Sequence, residues 1–159
     1  MEQEAIIAAV KQFLDDAHAK YRTKTTPDGH CIFRTRMRMP NSSKSVPQTI
    51  DIRETHMAIY AHFPITTAQK HIGETAKFLA LANYDLILGN FDLDVETGEI
   101  RYRHFLECGG FEALPTEVLC RHCPIPVVML GQYGDAIAAV ATGRSDAESA
   151  FAEAKSNGG

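Results

Sequence analysis

Hydrophobic positions in the first third of the chain change from the period of a helix to that of a strand. Between residues 2 and 22, apolar side chains recur every three or four positions, which predicts one amphipathic helix. From Cys31 onward, apolar and polar side chains alternate with a period of two, as in a half-buried strand. Arg34, Arg36 and Arg38 occupy polar positions and are predicted to line the solvent face.

Two more strands and a second helix follow in the pattern. Ile50 and Ile52 mark the second strand, and the third places Met57, Ile59, Ala61 and Phe63 on one face. Thr66 with Gln69 forms a capping-box signature, so the second helix is predicted to begin there and to end near residues 83–85.

The next segment predicts a β-hairpin with Thr97 and Gly98 as a two-residue turn. With that turn, apolar residues pair with each other on one face and opposite charges pair on the other face. A stable hairpin is expected to show this consistency between its turn and its cross-strand pairs. The apolar pairs are Val95 with Ile100, Leu93 with Tyr102 and Phe91 with His104; the charged pairs are Asp94 with Arg101 and Asp92 with Arg103.

The last third of the chain is predicted to be helical. Pro115 suits the first turn of a third helix, which Pro124 and Pro126 interrupt before it resumes and ends at Gly143. Ser145 and Glu148 form a second capping box for a short final helix, and residues 156–159 are expected to fray.

This order of elements predicts an α+β fold of one domain, residues 1–155. The succession α-β-β-β-α-β-β-α-α implies a largely antiparallel five-stranded sheet with the helices on one face. The other face and the edges of the sheet are then left for binding or dimerisation.

Composition and charge narrow the classes of function. No apolar run approaches the roughly 18 residues of a membrane span, and acidic residues Glu2 and Glu4 stand where a secretory signal would be basic, so we expect a cytoplasmic protein without membrane contact. A net charge of -4 argues against bulk polyanion binding. The segment Lys20–Lys44 is the exception, with seven basic residues against one acidic residue, Asp28.

The cysteines offer one candidate for metal or redox chemistry. Cys120 and Cys123 have the spacing of thiolates that bind zinc or cycle as a dithiol, and His122 lies between them. A closed zinc site needs four ligands and no second pair of this kind exists, so packing as small hydrophobic residues is favoured. We therefore expect no cofactor, and no motif of an acyl-transfer or nucleotide-phosphate enzyme occurs.

Residues 78–106 carry a family resemblance. Their pattern is a helix end with Leu79, Leu81, Ala82 and Asn83, a strand from Leu86 to Asp94 through Gly89, Asn90 and Phe91, and a return strand with Gly98, Ile100, Tyr102 and Arg103. The pattern resembles the YbjN family, a bacterial group described as sensory transduction regulators. The likeness covers residues 65–155 well and residues 1–64 mainly in element order.

The resemblance implies the fold of type III secretion chaperones and a protein that dimerises and binds other proteins without doing chemistry. The first hypothesis is thus a homodimeric, non-enzymatic regulator or chaperone-like adaptor that offers its sheet face or an edge strand to a protein partner. The second is binding of nucleic acid or an acidic ligand by the stripe Arg34, Arg36 and Arg38, joined by Arg101 and Arg103. Pairing of these arginines with Asp51, Asp92 or Asp94 is the simpler alternative, and a metal or dithiol role at Cys120 and Cys123 is a third hypothesis.

Overall fold

The protein has one open antiparallel sheet of six strands, and its helices pack on one face. The computed structural model describes residues 1–40 and 42–158. The strands lie in the order β1-β2-β3-β4-β6-β5, and every neighbouring pair is antiparallel. The elements are α1 (Gln3–Asp16), β1 (Tyr21–Thr25), β2 (Cys31–Arg38), β3 (Ser45–Arg53), β4 (His56–His62), a 3-10 turn (Gln69–His71), α2 (Ile72–Asp85), β5 (Asn90–Leu93), β6 (Ile100–Glu107), α3 (Thr116–His122), α4 (Ile125–Ala141) and α5 (Ala147–Asn157).

The predicted count of five strands is wrong, because the end of the predicted first helix is a strand. α1 stops at Asp16, and His18 takes a positive φ of 51° that turns the chain. Tyr21 then pairs with Thr35 in β1, and its ring packs 5.5 Å from that of Phe33. Pairing with β2 satisfies the backbone of this segment, so Tyr21 is half-buried against the sheet instead of in a helix stripe.

The core occupies the helical side of the sheet in two adjoining clusters. One cluster packs α1 and α3 on β2, β3 and β4, with Ile6, Val10 and Leu119 against the sheet. The other packs α2, α4 and α5 on β4, β5 and β6. Met37 contacts both clusters, so the helices form one continuous layer over one face. This agrees with the predicted helices-on-one-face arrangement.

The predicted hairpin exists, but its register differs by two residues. Phe91 pairs with Tyr102, Leu93 with Ile100 and Asp92 with Arg101. Asp94 lies in the turn, where its carboxylate accepts the backbone N–H groups of Glu96 and Thr97 at 2.9 and 3.3 Å. This side-chain bonding enlarges the turn beyond the two predicted residues. A shift of two preserves the face of each paired residue, so Phe91 and Leu93 still point to the core. The predicted pair of Val95 with Ile100 is wrong, because Val95 lies in the enlarged turn and is 58% exposed.

Both predicted capping boxes are wrong in detail. Thr66 caps no helix; Ala68 precedes the 3-10 turn, and the Gln69 side chain donates to the carbonyl of Glu96 at 2.9 Å. The last helix is capped by Asp146, whose carboxylate accepts the N–H of Ser149 at 2.8 Å, so the predicted cap lies one residue early. α5 continues to Asn157, which removes most of the predicted frayed tail; Gly159 lies outside the described residues.

The segment Thr116–Ala141 corrects the expectation about apolar length, because it is long and apolar enough to cross a membrane. Its helix turns at Pro124, as the proline pattern predicted, and the two parts are α3 and α4. Leu119, Val127 and Leu130 are almost fully buried against the sheet. The segment therefore fits the core helix of a soluble protein.

Candidate functional site

The sheet face opposite the helices, here called the open face, is covered by no element within residues 1–40 and 42–158. Strand alternation fixes which side chains it displays, because inward residues are those of the core. Its polar character comes from an excess of cations over carboxylates. The cations are Arg22, Lys24, Arg34, Arg36, Arg38, Arg53, Arg101 and Arg103, and the carboxylates are Asp51, Asp92, Glu99 and Glu107.

The three predicted arginines of β2 are exposed and lie on this face. Arg36 donates to the hydroxyl and carbonyl of Ser45 at 3.0 and 2.7 Å. In the described part of the chain, no carboxylate lies within ion-pair distance of Arg34, Arg36 or Arg38. The simpler alternative of pairing inside the sheet therefore does not apply to these three guanidinium groups.

Arg101 and Arg103 behave differently, because both pair with Asp92 on the neighbouring strand. The N–O distances are 3.1 and 3.3 Å. Arg103, Tyr60, Thr49 and Arg34 are paired in turn across four neighbouring strands. The distance across the sheet from Arg103 to Arg34 is therefore three strand spacings, or roughly 14 Å. The five arginines thus share one face but form two groups, one on β2 and one on β6.

Asp51 is the most buried carboxylate of the open face, and Arg53 holds it. Two nitrogens of Arg53 donate to one oxygen of Asp51 at 3.0 and 2.7 Å. The hydrogen bonds from Arg53 to this carboxylate raise the pKa of the guanidinium. A ring nitrogen of His30 lies 3.6 Å from the other oxygen. Asp51 is therefore occupied by its neighbours and is not a partner of the β2 arginines.

The open face also carries aromatic rings, and two of them, His56 and Tyr60, were not predicted from the sequence. Phe105 is 54% exposed. The His56 ring lies 5.1 Å from the Phe105 ring, and the Arg101 guanidinium lies 4.3 Å from the centre of the Tyr60 ring. Alternation with the buried Met57, Ile59 and Ala61 was the signal that could have placed His56 and Tyr60 on this face.

A shallow cavity of about 570 Å³ lies on the open face beside the loop that precedes β5. Ala58 pairs with both Asp51 and Phe105, and its small side chain leaves a depression between them. The wall comes from the loop residues Leu88 and Gly89. The cavity therefore combines cations and aromatic rings, namely Arg53, Arg103, His56, Tyr60 and Phe105.

The same loop borders a second, apolar groove of about 370 Å³ on the other side. Its lining comes from the loop and from the start of α4: Leu86, Ile87, Leu88, Ile125, Val128 and Met129. Ile87 is 94% exposed and Leu88 is 52% exposed, whereas large apolar side chains in most of the protein are in the core. Asp85 and Arg121 supply opposite charges at its rim.

The two edges of the sheet are poor sites for adding a strand. At β5, the Asn83 amide accepts the N–H of Phe91 at 2.7 Å and donates to its carbonyl at 3.0 Å, so the edge is already bonded there. At the opposite edge, β1 is short and carries Arg22 and Lys24. Charged residues and short strands are common protections against edge pairing. The geometry thus favours the faces of the molecule over its edges.

Cys120 and Cys123 have different surroundings. Cys120 is exposed on α3, whereas Cys123 is fully buried, and that burial raises the pKa of its thiol to about 12. Cys31 and Cys108 are also buried thiols. Within the described residues, no group of three His, Cys, Asp or Glu side chains is arranged to hold a metal ion. The geometry gives no support to the metal or dithiol hypothesis.

His104 lies in the sheet core, as predicted, and contacts His122 of α3. The Nε2 atom of His104 lies 2.7 Å from Nδ1 of His122, and the rings are nearly parallel. Burial of His104, and to a smaller extent the neighbouring His122, lowers the pKa of His104. This pair joins α3 to β6 through a contact between two rings.

Comparisons with known proteins add no relative: no family model, curated protein or solved structure matches the chain. The likeness to the YbjN family therefore stays a prediction from the residues that carry it.

Proposed function

We propose that the protein is a non-enzymatic, cytoplasmic regulator or chaperone-like adaptor of the YbjN type, and that it binds proteins, beginning with a second copy of itself. The observation that carries the proposal is the apolar groove between the α2–β5 loop and α4. Exposed apolar area of this kind, with charges at its rim, is typical of protein-binding surfaces.

The shape of this surface suits a homodimer. A two-fold dimer requires a patch that is complementary to itself. Here Ile87 protrudes next to a groove lined by Ile125, Val128 and Met129, so the loop of each copy can fill the groove of the other. Arg121 at the rim can then face a carboxylate of the second copy, whereas Asp85 already pairs with Lys155 at 2.6 Å.

Sedimentation velocity of the full chain tests the proposal. The wild type is expected to dimerise, and Ile87→Asp is expected to be monomeric, because a carboxylate would lose its water in the apolar groove. Since Ile87 is almost fully exposed in the chain, the substitution should leave the folding stability unchanged. Phe105→Ser, on the open face, is the matched control and should dimerise like the wild type.

Affinity capture from bacterial cytosol at moderate salt completes the test. A stoichiometric protein partner that is captured by the wild type and by Phe105→Ser, but not by Ile87→Asp, would support an adaptor that uses this groove. A wild type that is monomeric at high concentration, with captured proteins unaffected by Ile87→Asp, would refute the proposal.

A further inference from the structure

The open face combines two kinds of group, planar rings, of which Phe105 is exposed, and guanidinium groups without carboxylate partners. We propose that this face binds single-stranded RNA, with unpaired bases on the aromatic side chains and phosphates on the arginines. The inference goes beyond protein binding by the apolar groove, because it concerns a different surface of the molecule.

The rings provide two stacking positions. Phe105 is more than half exposed, and its ring and that of His56 form one wall of the cavity. Arg101 lies over the ring of Tyr60 and makes the second position, since a base can stack on a guanidinium plane as on an aromatic ring. Base stacking on such groups is tolerant of sequence and needs bases that are not already paired.

The arginines mark a path for the phosphates across the strands. Arg103, Tyr60, Thr49 and Arg34 follow one another on β6, β4, β3 and β2 in a single row. The row is roughly 14 Å long between Arg103 and Arg34, so a strand of a few nucleotides that crosses the sheet meets a cation at each end. Arg36 and Arg38 extend the charge along β2.

The charge distribution supports an anionic ligand despite the acidic chain. Eight cations and four carboxylates lie on the open face, while the whole chain has 16 cations and 20 acidic residues. The rest of the molecule therefore carries 8 cations and 16 acidic residues. Such a dipolar surface attracts a polyanion to one face and repels it from the other.

Two features favour RNA over other anions. An acidic protein segment would find the cations but would make no use of bare aromatic rings beside them. The hydroxyl group of Tyr60 lies in the same row as the arginines and can bond a ribose 2′-hydroxyl, the group that distinguishes RNA from DNA, whereas the Thr49 hydroxyl bonds His62 at 3.0 Å.

Fluorescence anisotropy of a labelled single-stranded RNA of roughly twelve nucleotides, titrated with the full chain at several salt concentrations, tests the inference. The affinity is expected to fall as salt rises, with a slope of log K against log salt of about -0.7 for each phosphate contacted. Arg34→Gln/Arg36→Gln/Arg38→Gln should weaken binding and make that slope less steep by about 2.

The control removes the same amount of charge from elsewhere. Lys11→Gln/Lys70→Gln/Arg144→Gln changes three exposed cations outside the open face and should leave RNA affinity near the wild-type value. Phe105→Ala should weaken binding on the order of tenfold without changing the salt slope, and Phe105→Trp should retain binding. Val128→Asp changes the apolar groove at an exposed residue that does not line the open-face cavity, so it should still bind the RNA, which separates this inference from the proposed dimer.

Several results would overturn the inference. These are no binding at low salt, equal losses in the two triple variants, or an unchanged affinity in Phe105→Ala. Polyglutamate that competes as well as RNA would show that the face recognises charge alone. Single-stranded DNA or an RNA duplex that binds as tightly as the single-stranded RNA would contradict the assigned ligand.

Discussion

At the scale of single residues, His104 shows how burial decides a protonation state. Only 3% of its surface is exposed, and its Nδ1 atom has no hydrogen-bond partner among the described residues. A charged imidazole would lose its hydration here and would face the ring of His122, so the pKa of His104 is lowered. The folded protein therefore holds this histidine neutral.

This burial predicts a loss of stability in acid. The unfolded chain protonates the histidine near its ordinary pKa of 6.5, whereas the folded chain protonates it only at a lower pH. The unfolded state thus binds more protons, and the unfolding free energy should fall as the pH drops below about 6.5. Urea denaturation at several pH values should show a shallower fall for His104→Gln than for the wild type.

His56→Gln is the control for that experiment, because the His56 ring lies on the open face instead of in the core. It should keep the pH dependence of the wild type. The same pH dependence in His104→Gln as in the wild type would contradict the assignment of the effect to His104.

At the scale of elements, the β5–β6 hairpin shows which part of a strand pairing the sequence determines. Alternation of apolar and charged residues predicted the correct face for the paired residues Phe91, Asp92 and Leu93, because a shift of two leaves the faces unchanged, but not for Val95, which is exposed in the turn. The register depended on the turn, and the Asp94 carboxylate enlarges that turn. Contacts with Thr67 hold the turn in place, and they come from a distant segment that local patterns do not describe.

The turn also depends on Gly98. Its φ is +77°, and an added Cβ would lie 2.1 Å from the carbonyl oxygen of Thr67. Gly98→Ala is therefore expected to reduce the unfolding free energy by at least about 2 kcal/mol, from left-handed backbone strain together with the steric clash. Urea denaturation with circular dichroism measures the change.

Gly134 in α4 provides the opposite case. An added Cβ would lie 3.6 Å from Phe63, an ordinary contact, and the residue is inside a helix. Gly134→Ala should raise the unfolding free energy by roughly 0.5–1 kcal/mol, because alanine loses less backbone entropy. Equal effects of the two substitutions would show that glycine conformation at Gly98 does not determine the turn.

The boundaries of the first and last helices could not be predicted from local sequence patterns. Tyr21 extends the apolar stripe of α1 in sequence, but it belongs to β1, because pairing with β2 outweighs helix periodicity. Asp146 caps α5 although Ser145 with Glu148 matched the capping box. In both cases the element was foreseen and its boundary was not, since boundaries depend on which backbone groups find partners.

At the scale of the whole molecule, the helices leave one side of the sheet uncovered. The exposure of Arg34, Arg36 and Arg38 could be predicted from alternation within β2 alone. The grouping of Tyr60 with Phe105 could not, because it depends on β4 pairing with β6 across the intervening α2 and β5. The pairing of Arg103 with Asp92 was predicted from the sequence, whereas the pairing of Arg101 with Asp92 instead of Asp94 required the observed register.

The two candidate surfaces meet at one loop. Ile87 and Leu88 border both the cavity of the open face and the apolar groove. A dimer formed through the groove would therefore place the two open faces near its interface, and RNA bound to one face would lie close to the second copy. This arrangement fits an adaptor that combines a protein contact with an anionic ligand.

Amide NMR spectra of the full chain, recorded during titration with the single-stranded RNA, test most directly whether the open face is the ligand-binding surface. We expect the largest chemical-shift changes on β2, β4 and β6, at and around Arg34, Tyr60 and Phe105. Changes confined to the helical side of the sheet, or the absence of any change at saturating RNA and low salt, would contradict the claim.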